Sequence, residues 1–322
     1  MWFEIVCGLV IYKLFSRFIY GHDPIPDLPS DSDLSFSLAS RLESIYGGKS
    51  FVGLRIPDPE TSTRQHIDVV LVTKKEVMVV AVKNIRGFVE VGKDGDWVCV
   101  GDKKHKPESF SDPVLEVRRQ AEALELYLEQ RGLPLPKGGV IGKVLLPNPE
   151  CRLAYKIASQ PEIISFDDWS DLKPEPKSKI SSWIKDAFHG GKSDPQDGFY
   201  EKLHFILSTA PMWDRLELKG DRFILGEFME FKGTQGDMQA LINVKRSKVS
   251  KFIIQSSTML GLGRSRVQVL YAPRDYRSEG LPASDWKEVA VKPSTEVLFQ
   301  PRNSKKVKKL SITSIVSVCL SA

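Results

Sequence analysis

Asp68 and Lys83 stand on two apolar runs that flank Lys74-Lys75. Ile67–Thr73 (IDVVLVT) and Val77–Lys83 (VMVVAVK) are rich in Val and bounded by polar residues, so both read as strands. A two-residue turn at Lys74-Lys75 pairs Thr73 with Glu76, and the same register sets Asp68 opposite Ala81. Side chains alternate along a strand, so Lys83 shares that face. A charge on an otherwise apolar strand face is costly to bury unless it is paired or binds a metal. Two readings follow. One is a structural carboxylate–ammonium pair near a sheet end. The other is a functional site in which the charge binds a metal. His66 falls on the same strand face as Asp68; a surface histidine at a strand end is the plainer account of it.

These residues need elements to position them. Leu34–Tyr46 has helical spacing and stops at Gly47-Gly48. Phe51–Ile56 reads as a strand, and Phe88–Val91 with Trp97–Val100 as a hairpin around Asp94-Gly95. Asp112 caps a long helix that opens with Pro113 and runs to Arg131, with Gly132 at its end. Lys143–Leu146 returns as a strand. The order is α-β-β-β-α-β with a hairpin inserted. Lys177–Phe188 is a further amphipathic helix, and Gly190–Gly198 a turn-rich linker. Beyond it, Arg222–Phe231, Ala240–Gln255, Arg266–Tyr271, Trp286–Phe299 and Val307–Leu320 carry β-like runs, which suggests a small antiparallel sheet or barrel.

At this level the sequence resembles a known family. RQHIDVVLVTKKEVMVVAVKNIRGFV (Arg64–Val89), followed by DPVLEVRRQAEALELYLEQRG (Asp112–Gly132), is similar to NERD, the nuclease-related domain. The resemblance spans about residues 35–150 and rests on four elements in order. It implies a fold similar to the PD-(D/E)xK nucleases, whose core has the α-β-β-β-α-β order. It also implies a metal-dependent phosphodiesterase site. Asp68 matches the family's metal-binding Asp, and Lys83 the Lys that orients water and steadies the phosphate. Asn84 and Gly87 match the residues that close the strand, and Gln120 the helix Gln. Glu43 on the first helix matches the family's N-terminal Glu. The implied cofactor is Mg²⁺, which wants two or more carboxylate oxygens. The departure is Ala81, where the pattern has Glu; Ala has no oxygen to offer. Glu116 lies four residues before Gln120 and shares its helical face, which makes it the best displaced ligand, whereas Glu122 points away. The expected metal set is therefore Asp68, Glu43 and Glu116. Two functions remain open: a divergent nuclease with an impaired site, or a non-catalytic, membrane-associated binding or scaffold protein on a nuclease-like fold.

Composition bounds the rest. The chain has 322 residues, 41% hydrophobic and 27% charged, which excludes wholesale disorder and gives a prior of about two domains. Cys7, Cys99, Cys151 and Cys319 form no CxxC pair, which excludes a sequence-local zinc knuckle and argues against a disulfide scaffold. The five histidines show no metal-ligand spacing. Gly261-Leu262-Gly263 is too short for a phosphate loop and reads as a turn. The net charge of +5 is uneven: residues 201–322 hold 20 Lys+Arg against 12 Asp+Glu, and residues 1–200 hold 26 against 29. Such a split favours an anionic partner for the second half, nucleic acid or a membrane surface, or else a solvated basic face. Lys245, Arg246, Lys248 and Lys251 cluster there, either to grip phosphates or as edge-strand protection. Lys305–Lys309 resembles a nuclear import run or a polybasic lipid contact, though it reads more simply as a strand start with solvated lysines.

Residues 2–20 (WFEIVCGLVIYKLFSRFIY) are apolar with Lys13 and Arg17 toward one end. A spanning helix wants ~20 mostly apolar residues, so a short anchor or an interfacial helix fits better, alongside a soluble packing helix. The basic residues follow the apolar core, which places the rest of the chain on the cytosolic side of a membrane. The expected organisation is 1–21 anchor, 22–33 linker, 34–170 nuclease-related domain, 171–200 helix and linker, and 201–322 basic β-rich domain. The fold class is α/β: a PD-(D/E)xK-like core, a C-terminal β-rich domain and an N-terminal hydrophobic helix.

Overall fold

The computed structural model describes residues 31–58, 63–73, 76–100, 107–172, 195–257, 266–275 and 285–321. The N-terminal segment 1–21, most of the 22–33 linker, the Lys177–Phe188 helix and the Gly261–Gly263 turn lie outside the described residues. Among the described residues no helix is long and apolar enough to cross a membrane. The chain forms two compact units, one built mainly on 31–214 and the other on 215–273 with 285–319.

The first unit opens with α1 (Asp31–Tyr46), β1 (Lys49–Pro57), β2 (Arg64–Val72) and β3 (Val77–Val82). An inserted group follows: β4 (Gly87–Val91), β5 (Trp97–Val100) and β6 (Glu108–Phe110). Then come α2 (Pro113–Gln130) and β7 (Val140–Leu145). The α-β-β-β-α-β order expected from the sequence is present. Short elements complete the layer: β8 (Cys151–Leu153), α3 (Tyr155–Ala158), β9 (Ile163–Ile164) and α4 (Phe166–Asp171).

The main sheet runs β1-β2-β3-β7-β9. The β2–β3 ladder pairs Val69 with Val80, Val70 with Val79, Leu71 with Met78 and Val72 with Val77. Thr73 N donates to Glu76 O at 3.0 Å beyond it. This is the register expected from a two-residue turn. Alternation then divides the sheet's two faces. Val69, Leu71, Met78 and Val80 pack with Leu38, Ala39, Leu42 and Ile45 of α1. Val70, Val72, Val79 and Ala81 pack with Val114, Val117, Ala121 and Leu124 of α2. Both faces are covered, which is why these strands read as unbroken apolar runs.

The ends of the helices follow from local chemistry. Asp112 caps α2 by accepting from Val114 N at 2.9 Å, with Pro113 in the first turn. The turn after α1 uses Gly47 (φ 73°) and Gly48 (φ 88°), conformations that L side chains rarely adopt. A Cβ on Gly48 would sit 2.0 Å from Val72 O, so β1 starts as close to β2 as the backbone allows.

The insert forms a second sheet, β6-β5-β4-β8. Its Val89, Trp97 and Cys99 are buried in the same core as α2. Helix α5 (Pro195–Ser208) also belongs to this unit; its Leu203, Ile206 and Leu207 are buried in that core. Sequence texture placed a linker up to Gly198 and β structure beyond it. The stripe of apolar residues at helical spacing, with Pro195 at the start, is the signal that was there to be read.

Among the described residues the second unit forms one eight-stranded sheet, β14-β13-β12-β17-β10-β11-β15-β16. Its strands are β10 (Asp214–Leu218), β11 (Arg222–Lys232), β12 (Val249–Ser257), β13 (Arg266–Pro273), β14 (Lys287–Val291), β15 (Glu296–Pro301), β16 (Lys308–Ser311) and β17 (Ile315–Cys319). The β-rich C-terminal part is thus present. Of the run Ala240–Gln255, only the part from Val249 is strand. Gln235–Ala240 is a short helix, α6, and residues 241–248 are a turn. Lys308 and Lys309 open β16, the last strand of the sheet, opposite Phe299 and Leu298. Lysines on an edge strand oppose edge-to-edge association.

Candidate functional site

The fold brings Asp68, Lys83, Glu116 and Gln120 to one end of the α2-covered face. Continuing the ladder past Val69–Val80 sets Asp68 opposite Ala81. Both are buried, Asp68 at 8% and Ala81 at 0% exposure. Asp68 Oδ2 accepts from Val82 N at 2.9 Å. The carboxylate therefore satisfies a backbone donor just past the last β2–β3 pair, a structural task for a buried charge.

Lys83 follows immediately, with its backbone N donating to Leu145 O at 3.0 Å. Its Nζ reaches across to α2 and donates to Glu116 Oε2 at 2.7 Å. The other oxygen of Glu116 accepts from Gln120 Nε2 at 3.2 Å, one helical turn on. Gln120 Nε2 also donates to His66 O at 2.8 Å, which ties α2 to β2. Gln120 is 2% exposed, and among the described residues its Oε1 has no hydrogen-bond partner. His66 shares the strand face with Asp68, and its ring stacks on Trp213 with centroids 5.1 Å apart. Arg55, the cross-strand partner of His66, places its guanidinium 4.1 Å from the Trp213 ring centroid. Neither Arg55 nor Trp213 was legible as a site neighbour, because Trp213 enters from beyond α5.

Glu43 is placed elsewhere. It lies on α1, the helix that covers the opposite sheet face, and its Oε1 accepts from Ser50 N at 2.6 Å. Lys49 Nζ is 3.8 Å from the same oxygen. Glu43 thus closes the α1–β1 turn. The donor set does not fit Mg²⁺: Asp68 is engaged by Val82 N–H, Glu116 by Lys83 and Gln120, Glu43 by the turn, and Ala81 has no oxygen. Among the described residues no group of three or more His, Cys, Asp and Glu could hold a metal ion.

Asn84 and Gly87 hold the neighbouring loop. Asn84 Oδ1 accepts from Asn148 Nδ2 at 3.1 Å, and Gly87 N donates to Glu150 O at 3.2 Å. Gly87 has φ 124°, outside the range usual for other residues, which suits the strand-closing position.

Residues 33–147 match the family model of NERD, the nuclease-related domain. The match covers a little over a third of the chain. No curated protein and no solved structure matches the chain. The nuclease-related domain thus contains Asp68, Lys83, Glu116 and Gln120, the residues its site geometry brings together.

A cavity of about 340 Å³ opens beside Glu116 in this domain. Asp94, Asp96, Asp112 and Glu116 line it against one guanidinium, Arg119. A phosphodiester entering there meets net negative charge. The buried thiols of the first unit, Cys99 and Cys151, are poor nucleophiles. Burial pushes the Cys151 thiol up to about 11, with Cys99 adding to the rise, and burial also raises Cys99.

Proposed function

We propose that this chain is a non-hydrolysing binding or scaffold protein built on a nuclease-related domain. The observation that carries this reading is the 2.7 Å ion pair between Lys83 Nζ and Glu116 Oε2. The ammonium that a nuclease would turn toward phosphate is engaged by a carboxylate, and that carboxylate is engaged in turn. Ala81 supports the same reading by withholding an oxygen from the strand opposite Asp68. In this proposal residues 2–20 hold the chain at a membrane with the following domains on the cytosolic side. The basic residues of 201–322 then meet an anionic partner.

The alternative is a divergent Mg²⁺- or Mn²⁺-dependent nuclease. The nuclease-related match and the joint placement of Asp68, Lys83 and Gln120 speak for it. The deciding assay uses single- and double-stranded DNA and RNA with Mg²⁺ or Mn²⁺, on wild type, Asp68→Ala and Lys83→Ala. The expected result is no cleavage by wild type above either variant. Cleavage by wild type that both variants lose would overturn the binding reading. Carbonate extraction of the full chain against one lacking residues 1–21 tests the membrane arm; equal extraction would sink it.

A further inference from the structure

We propose that the turn 241–248 of the second unit is a contact for an anionic lipid surface. The inference rests on the membrane-associated reading above and adds a second contact, separate from residues 2–20. The turn is firmly built. Leu241 and Val244 are buried at 3% and 2% exposure, while Ile242 between them is 55% exposed. Two buried anchors thus thrust one aliphatic side chain into water. The backbone is closed by Val244 N donating to Leu241 O at 2.8 Å, and by Lys248 N and Val249 N donating to Lys245 O at 2.9 Å. Arg246 Nη2 donates to Phe228 O at 3.2 Å, which clamps the turn to β11 beside Met229. Met229 is itself 50% exposed.

The turn itself is basic. Lys245 and Lys248 are exposed on the turn, and Lys248 Nζ donates to Asn243 Oδ1 at 3.0 Å. Lys251 follows at the start of β12. An exposed aliphatic tip flanked by lysines matches the boundary between acyl chains and anionic headgroups: the apolar side chain enters and the ammonium groups stay with phosphate. A single-stranded nucleic acid asks for different chemistry. Its bases stack on aromatic side chains, and the exposed apolar residues here, Ile242 and Met229, are aliphatic.

The test is co-sedimentation of the full chain with vesicles of phosphatidylcholine alone and of phosphatidylcholine with phosphatidylserine. Wild type, Ile242→Asp and the double variant Lys245→Glu/Lys248→Glu are compared, with a fluorescent oligonucleotide as a parallel ligand. All three positions are exposed, so the variants retain the fold. Wild type is expected to bind the anionic vesicles more tightly than the neutral ones. The double variant is expected to lose about thirtyfold of that gain, at about 1 kcal/mol per lysine, and Ile242→Asp to weaken it too. Binding to neutral vesicles reports residues 2–20 and is expected to be the same for all three. Unchanged anionic binding in both variants overturns the lipid contact. So does a loss confined to oligonucleotide binding, which would assign the turn to nucleic acid. Loss of neutral binding in wild type would instead overturn the N-terminal anchor.

Discussion

Lys83 and Glu116 are 33 residues apart in the chain, and their charged atoms are 2.7 Å apart in the fold. The side chains are 29% and 39% exposed, so water screens the pair. Such a pair contributes under ~1 kcal/mol. Glu116→Gln is therefore expected to lower stability by less than ~1 kcal/mol in urea unfolding. A larger loss would mean that the pair also holds α2 to β3.

Asp68 has a steeper expectation. Asp68→Asn keeps an oxygen for Val82 N–H, whereas Asp68→Ala leaves that donor without this acceptor. Leaving a buried donor unmade costs ~1–3 kcal/mol. The order of stability is expected to be wild type, then Asn, then Ala. Thermal melts of the three proteins check it.

Acid should expose a second pair. Burial alone would raise the Glu162 carboxyl, but the Arg118 hydrogen bond and charge, with Lys143, outweigh it and hold it below its ordinary 4.5. A depressed carboxyl contributes stability above its unfolded value and loses it as pH falls through the lower folded one. Arg118 is 55% exposed, so the contribution is under ~1 kcal/mol. Wild type and Arg118→Ala are expected to differ by that amount at pH 7 and to converge in acid. Denaturant midpoints measured from pH 7 down through the carboxylate range check this.

The buried thiols carry the last prediction. With Cys151 at about 11 against an ordinary 9.0, and Cys99 also raised, few thiolates exist at pH 8. Cys151 should react with a disulfide reagent about a hundredfold more slowly in the native protein than after unfolding, and Cys99 more slowly as well. Stability should also fall as pH rises above 9, because the unfolded thiol ionises first. Native reaction of Cys151 at the unfolded rate would show that its strand opens freely.

Much of the first unit was legible in sequence because its signals are local. The β2–β3 register follows from two apolar runs and a short turn, and it set Asp68, Ala81 and Lys83 on one face. The α2 cap follows from Asp112-Pro113, and the α1 stop from Gly47-Gly48. Ala81, with no oxygen to offer a metal, was also plain. In the second unit, edge lysines and Val-rich runs marked strands, but the turn 241–248 was hidden inside one such run.

The partners of the charges were decided only by tertiary structure. Glu116 was expected to point at a metal with Asp68, and it meets Lys83 instead. Glu43 was expected at the site, and it meets Ser50 N beneath α1. A carboxylate goes to the donor that the packing of helix on sheet brings within about 3 Å, and sequence spacing carries no record of that packing. Local chemistry on the strands thus determined which residues face α2. The docking of α1 and α2 on opposite faces determined which of them could touch, and brought Glu116 to Lys83.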